Sequence, residues 1–407
     1  MMPANPFRPR RFAAIVGLGT AAALSIAVVT TLSVRAVVQE PPAPQTVPLE
    51  RLQAAIKSLS DLDYQTRTAA ARTIRRTPAA QAVPALLTAV SEHADAYVRY
   101  KAAVLLTAFN DPRTTDVMRE SLMTPNDRLR AVAYAYFEHH ADPAMAGPLL
   151  AALDHETSEF VRPSLVRALA AVNEPAVQPI LTREAGRGED FFRSSVIEAL
   201  GDYKARYAFD TLAAIAQLDG PLLDDAALAL GKIGDPRALP ILAALQRSAP
   251  QVAQPSIAAA ICLLGTNCEL HEGYLRQTLK FADENQGFQE LLRGAAAGLG
   301  AIAIAGRTSA MTALVDASAS PRESTRAPVA LALAAVALKS TDAFLPFLQG
   351  HPSRGPVIEL LAEGFDMLEE DLDKERFFAV VRRTYWNAAD ASPTRDLMQA
   401  LIGKLDF

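Results

Sequence analysis

Along most of the chain, apolar residues return every three or four positions. Val98, Ala102, Leu105, Leu106 and Phe109 share the spacing of Val161, Leu165, Ala168, Leu169 and Val172, which puts each set on one stripe of an α-helix. Each stripe opens with an apolar residue followed by Arg. Val98-Arg99, Leu129-Arg130, Val161-Arg162 and Phe192-Arg193 recur at intervals of 31, 32 and 31 residues, and Arg67 lies 32 before Arg99. Thirteen residues after Arg99, Arg130 and Arg162 come Pro112, Pro143 and Pro175, each preceded by an acid: Asp111, Asp142 and Glu174. Asp235-Pro236 repeats the device. An acid at the N-cap with Pro at the first helical position starts a second helix, because Pro needs no amide partner there. Met145, Leu149, Leu150 and Leu153 form the stripe of such a helix. The unit is therefore helix, tight turn, helix. It continues more loosely through 222–245, 255–281, 291–315 and 325–348, with an irregular helical cap over 351–407. These periods predict an all-α solenoid of nine or ten two-helix units over 51–350, with neighbouring units burying each other's stripes in one continuous core.

The N-terminus breaks this pattern. Arg8, Arg10 and Arg11 precede 23 uncharged residues, Phe12 to Val34, closed by Arg35. About 20 helical residues cross a ~30 Å hydrocarbon layer. The excess of Arg before the run directs the N-terminus to the cytoplasm and the body outside. Residues 1–36 are thus expected to be a signal-anchor or a cleaved signal peptide. The length of the run favours the anchor, since secretory apolar cores are usually about 7–15 residues. Four Pro between Glu40 and Pro48 mark 37–50 as an extended spacer holding the body off the membrane.

Composition sharpens the picture. Of 407 residues 78 are Ala and 6% are aromatic, which suits close helix packing and disfavours sheets. Net charge is −5; residues 1–36 hold four Arg and no acids, so the remainder carries −9. An acidic body argues against nucleic acid or anionic lipid as partners, leaving membrane contact to the N-terminal segment.

The stretches VRYKAAVLLTAFNDP, FVRPSLVRALAAVNEP and DDAALALGKIGDPRALPILAAL resemble HEAT-like repeats of the short kind found in phycobilisome lyases. The resemblance covers roughly residues 52–348. It implies an α-solenoid that supplies surfaces for partners, with the repeated Arg reaching an acid or carbonyl on the adjacent unit.

Candidate chemistry is sparse. Cys262 and Cys268, the only cysteines, flank the Gly265 turn, and in an exported chain this spacing favours a disulfide over two thiols or a metal pair. HEAT-like deoxyhypusine hydroxylases hold iron through four His-Glu pairs. Here His155-Glu156 and His271-Glu272 are two, out of phase, and are expected to be surface side chains. His139-His140-Ala141-Asp142 is expected to be a solvated helix end, and Glu363 to Arg376, with seven acids and two bases, a solvated helix face with Leu368 and Leu372 inward. No catalytic motif, metal site or cofactor fingerprint stands out. Aromatic and cationic residues cluster between Phe160 and Tyr207. Phe160, Phe191 and Phe192 are expected in the core, while Tyr203, Lys204, Arg206 and Tyr207, with Arg162 and Arg193, form the candidate binding patch, because Tyr and Arg anchor interfaces. Tyr203, Arg206 and Tyr207 are taken to open a second helix, and second helices to line the concave side. The function expected is a non-catalytic, membrane-tethered scaffold that binds a protein or peptide on that side. A lyase-like or chaperone-type subunit is the alternative.

Overall fold

The computed structural model describes residues 39–407 apart from Asp219, Glu369 and Asp406. The expected hydrophobic helix over 12–34 lies outside the described residues. Among the described residues there are 22 α-helices and no strand. The first eight are α1 (Leu49–Lys57), α2 (Tyr64–Arg75), α3 (Ala79–Glu92), α4 (Ala96–Thr107), α5 (Arg113–Ser121), α6 (Asp127–His139), α7 (Ala146–His155) and α8 (Arg162–Val172). There follow α9 (Gln178–Ala185), α10 (Asp190–Asp202), α11 (Phe209–Ala216), α12 (Leu223–Ile233), α13 (Ala238–Ser248), α14 (Gln254–Leu263), α15 (Cys268–Glu284) and α16 (Gln289–Ile304). The last six are α17 (Thr308–Ala317), α18 (Glu323–Lys339), α19 (Thr341–Gly350), α20 (Arg354–Met367), α21 (Asp371–Asn387) and α22 (Pro393–Leu405).

Local chemistry sets the start and stop of each unit. Four residues before Arg67, Arg99 and Arg130 stand Asp63, Asp95 and Asn126, whose side chains accept from the backbone amides of Thr66, Tyr97 and Leu129 and cap α2, α4 and α6. The turn to the odd-numbered helix carries a residue with positive φ: Asn110, Asn173, Lys204, Gly234, Gly265 and Gly306 follow α4, α8, α10, α12, α14 and α16. Gly and Asn take this left-handed conformation most readily. The acid-Pro device holds at three of its four sites, with Asp142 accepting from the Ala144 amide, Asp111 from that of Arg113 and Asp235 from that of Arg237. After Glu174-Pro175, by contrast, α9 begins only at Gln178 without a side-chain cap.

The repeated Arg ties consecutive units together. Arg67, Arg99 and Arg130 each donate to a carbonyl six residues back in the preceding connection, on Asp61 (2.7 Å), His93 (3.4 Å) and Thr124 (2.7 Å). Arg193 reaches the Ala185 carbonyl, and Arg130 also forks onto Glu156 at the end of α7, the second helix of its own unit. Arg162 instead lies over the Phe192 ring, 3.6 Å from its centroid.

Even-numbered helices pack side by side into a continuous inner layer, whereas odd-numbered neighbours meet sparsely. The even layer is therefore the concave one, opposite to the expectation that second helices line it. Small residues set its tightness. A methyl group on Gly231 of α12 would sit 2.4 Å from the Ala260 Cα of α14, and one on Gly364 of α20 would sit 2.4 Å from the Ala330 carbonyl oxygen of α18. The core is two clusters rather than one. They meet at α14, which gives Ile257, Ala260 and Ile261 to the first and Ala258, Ala259 and Cys262 to the second.

The concave side is not empty. Helix α21 lies across α4, α6 and α18, and its Leu372 joins the N-terminal core cluster. Within Glu363 to Arg376, Leu368 and Leu372 point inward as expected and Glu363 and Asp366 are exposed. The acids from Glu370 to Glu375, however, face α2, α4, α6 and α8 rather than solvent, and the cap over 351–407 bears directly on the first units. The Pro-rich segment does not stand clear either. Glu40 is buried, paired with Arg76 and Arg382, while its carbonyl accepts from Tyr385 and that of Pro41 from Trp386. A buried carboxylate between two guanidinium groups holds a segment that composition alone reads as a spacer. Among the described residues no single helix is long and apolar enough to cross a membrane; α18 and α19 pass only together, and they are bent by 118°.

Replacing Gly231 with Ala should force α12 and α14 apart and lower unfolding stability by about 1–3 kcal/mol, the usual cost of overpacking. Gly273→Ala, within α15 and with open space at the Cβ position, should instead gain about 0.5–1 kcal/mol. Urea denaturation of the two variants beside the parent chain checks both signs.

Candidate ligand-binding site

Helix α21 docks through charge as well as apolar contact. Glu375, itself buried, takes a fork from Arg75 of α2, with Nη2 to Oε2 at 2.6 Å. Lys101 of α4 lies 2.9 Å from Asp371, which also accepts from Tyr100. His139 Nε2 of α6 sits 2.8 Å from Asp373, and Arg167 of α8 reaches Glu138 (3.0 Å) and Glu370 (3.2 Å). Burial opposes the charged form of Arg167, but Glu138, Glu370 and Asp373 outweigh it and raise its pKa. Burial pushes Lys101 the other way, down to about 8, helped by the nearby Lys374 and Arg75. The inner face of α2, α4, α6 and α8 is a basic strip already matched to an acidic helix of the same chain.

Beyond α21 the inner face stays open. Between α10, α12, α16 and α18 lies a cavity of about 770 Å³. Leu228, Leu263, Ile304 and Leu331 give it apolar walls, and Lys204 and Arg293 stand among its polar lining. One side is braced by Asp202, which binds Lys232 at 2.6 Å and Lys339 at 2.7 Å, so that α10 and α18 are bridged across the curve. Burial alone would raise the Asp202 carboxyl; the two ammonium groups outweigh it and bring it down to about 2.

Residues 52–138 match the family described as HEAT repeats, and residues 223–248 match the PBS lyase HEAT-like repeat. The chain carries HEAT repeats. Solved structures similar to this HEAT array include YibA of E. coli, 17% identical over 54% of this chain and 82% of that one, with a TM-score of 0.40. The complex of CpcE and CpcF of phycocyanin lyase from Nostoc is 20% identical over 63% of this chain and 96% of that one, with a TM-score of 0.40. Yeast importin-beta is 13% identical over 86% of this chain and 58% of that one, with a TM-score of 0.39. No curated protein sequence matches the chain.

Within the HEAT array the six residues singled out from the sequence have different surroundings. Lys204 lines the cavity and is also the left-handed residue of its turn. Tyr203 caps the end of α10 rather than opening a second helix, and its hydroxyl donates to Glu138 at 2.8 Å. Arg206 and Tyr207 lie on the short 3-10 turn before α11; burial pushes Tyr207 up to about 12. Arg162 covers Phe192, and Arg193 is engaged by Ala185 and Asp190. Of the three Phe expected in the core only Phe192 is buried, whereas Phe160 and Phe191 are 48% and 66% exposed.

The remaining sequence candidates are structural. Cys262 and Cys268 are disulfide-bonded across the Gly265 turn, with Cα atoms 4.1 Å apart. His271, Glu272 and Glu156 are buried, not surface side chains: Glu272 holds Arg307 and Ser309, and Glu156 holds Arg130. Carboxylates at the ends of second helices and unit junctions are drawn in by a nearby Arg. His139 is held by α21, whereas His140, stacked on Tyr136, and Ala141 are exposed, so this helix end is solvated except at His139. Among the described residues no group of His, Cys, Asp and Glu is placed to hold a metal ion.

The depressed Asp202 carboxyl contributes stability that is full above its unfolded pKa, near 4, and is lost as pH falls through about 2. Asp202→Asn should therefore cost about 2 kcal/mol at pH 7. The gap between variant and parent should narrow once pH drops below about 4, which urea titrations at stepped pH will show.

Proposed function

We propose that this protein is an exported, membrane-tethered scaffold that binds a protein or peptide, without catalysis, on the inner face of its HEAT array. The observation that carries the reading is the open cavity of about 770 Å³ between α10 and α18, apolar-walled and bordered by charged side chains. Apolar walls with a few convergent polar groups are what a binding cleft requires. Lys204 belongs to this surface. Arg162, Arg193 and Tyr203 are engaged within the array, and Arg206 and Tyr207 lie before the outer helix α11, so Lys204 is the one of the six candidates that contributes to binding here. The placement of the body outside the cytoplasm rests on the basic-flanked apolar run 12–34, and the disulfide between Cys262 and Cys268 agrees with it.

A second reading, a lyase-like or chaperone-type subunit that assists covalent modification of another protein, is favoured by the match of residues 223–248 to the PBS lyase HEAT-like repeat. A tetrapyrrole carrier would be coloured after purification, and the scaffold reading expects no visible absorbance.

A photo-crosslinking residue at Leu331, on the cavity wall, should give a discrete protein adduct in intact cells. The same residue at Leu270, exposed on the outer helix α15, should give none. Equal labelling at both positions would count against the inner face. Intact mass of the membrane fraction should correspond to the uncleaved chain, with alkylation of two cysteines only after reduction. A soluble species starting at Val37 would replace the anchor with a cleaved leader, and thiols alkylated without reduction would count against export.

A further inference from the structure

A second cavity, of about 490 Å³, opens where the array closes on itself. Four separated segments wall it: 107–110 after α4, the end of α6, the α18–α19 junction and one face of α21. From these come Lys339, Arg376 and Arg383, the imidazoles His139 and His140, and a single carboxylate, Asp342. Three permanent cations against one acid is an inversion in a chain of net charge −5. Asn110, Ser340 and Thr341 add neutral hydrogen-bonding groups to the same wall.

The positive charge is not all consumed internally. Lys339 is turned toward Asp202 and Glu198. Arg376 rests 3.5 Å from Asp373 and touches His139. Arg383 lies seven residues on from Arg376, two helical turns along the same face of α21. Its Nε donates to the Ala379 carbonyl at 3.3 Å, and among the described residues it meets no carboxylate. A guanidinium fork with unspent donors, beside a second guanidinium in a cavity of this size, matches oxygen anions that accept from two donors at once.

We infer that this cavity binds a small polyanion, a molecule bearing two or more phosphate or carboxylate groups, gripped by Arg376 and Arg383 of α21. Because the walls come from both ends of the chain, the bound anion also holds α21 against α6 and α18. The site shares only Lys339 with the inner-face cavity proposed for a protein or peptide, and it stands whether or not that partner exists.

Calorimetric titration of the full chain with inorganic pyrophosphate and, separately, with citrate tests the inference, with thermal denaturation followed in parallel. One-site binding of at least one anion, with a rise in Tm, is expected. Pyrophosphate alone would assign phosphate chemistry, citrate alone carboxylate chemistry, and both the shared charge requirement. R383Q should weaken binding about tenfold while leaving helicity unchanged, since this side chain holds only a carbonyl of its own helix. R383K, which keeps the charge without the fork, should fall between. R237Q, on an exposed Arg paired with Asp235 outside the cavity, should bind like the parent chain. Absence of binding by both anions at about 1 mM would overturn the inference, as would an equal loss in R237Q and R383Q.

Discussion

Neighbouring even-numbered helices come so close that a single methyl group does not fit at Gly231 or Gly364. Much of the architecture follows from that constraint. With Ala and Gly at the contacts, the inner layer is compressed while the outer helices meet sparsely, and the array curves toward the even helices. The curvature is enough for α18 to face α10 across the concave side, where Lys339 meets Asp202. A looser inner layer would open the curve and take from the buried Glu375 and Arg382 the partners that offset their burial. Groups of that kind cost several kcal/mol each when unpaired, so spacing and electrostatics enforce one another.

Closure also explains an unusual use of charge. Helix α21 enters the concave side with acids on a face that also carries Leu372, so part of its charge is necessarily removed from water. Arg75, Lys101, His139 and Arg167 come from four successive even helices and receive these acids in turn. Such pairs contribute modestly to net stability, because desolvation offsets most of the attraction. What they do supply is register. Shifting α21 by one residue would rotate every acid by about 100° away from its partner and turn Leu372 out of the N-terminal cluster. At the junction of the ends, Glu40 does the same for the entering segment, since only one position places its carboxylate between Arg76 and Arg382.

The parts of this structure that are legible in sequence are those set by neighbours in sequence. Caps, left-handed turns and the Arg that reaches back six residues recur with the unit, so periodicity exposes them. The acid-Pro starts and the disulfide across Gly265 belong to the same class. Closure is different, because its partners lie up to 359 residues apart and no repeat links them. Glu363 to Arg376 reads as a solvated face for that reason: local pattern reports amphipathicity, not what a distant basic strip will cover. The same gap hides Glu272, which is buried by an Arg 35 residues on. Phe160 and Phe191 fail in the opposite sense. They stand at helix starts, where Arg162 of the preceding unit packs on Phe192 and the neighbouring Phe191 is left outside. The side of the solenoid that is concave depends on which layer holds the smaller contacts. Gly201, Gly231 and Gly364 all sit on even helices, so that signal was present in composition by layer, though not in composition by chain.

An array whose ends are joined cannot move as an open one does. Open solenoids flex because each unit touches only its neighbours, so small changes at each contact add up along the length. Here any change of curvature must also be accepted by α21 and by the buried Glu40–Arg382 pair, whose rupture exposes or strands two charges at once. The inner face is accordingly preformed, and a ligand arriving there meets fixed walls. Helix α21 already occupies the part against α4 and α6, which leaves about 770 Å³ between α10 and α18. That volume accepts a few side chains or a short peptide segment, not a folded domain drawn into the curve. Recognition at this face must therefore work by inserting a tail, loop or helix end, while the bulk of any partner stays on the rim.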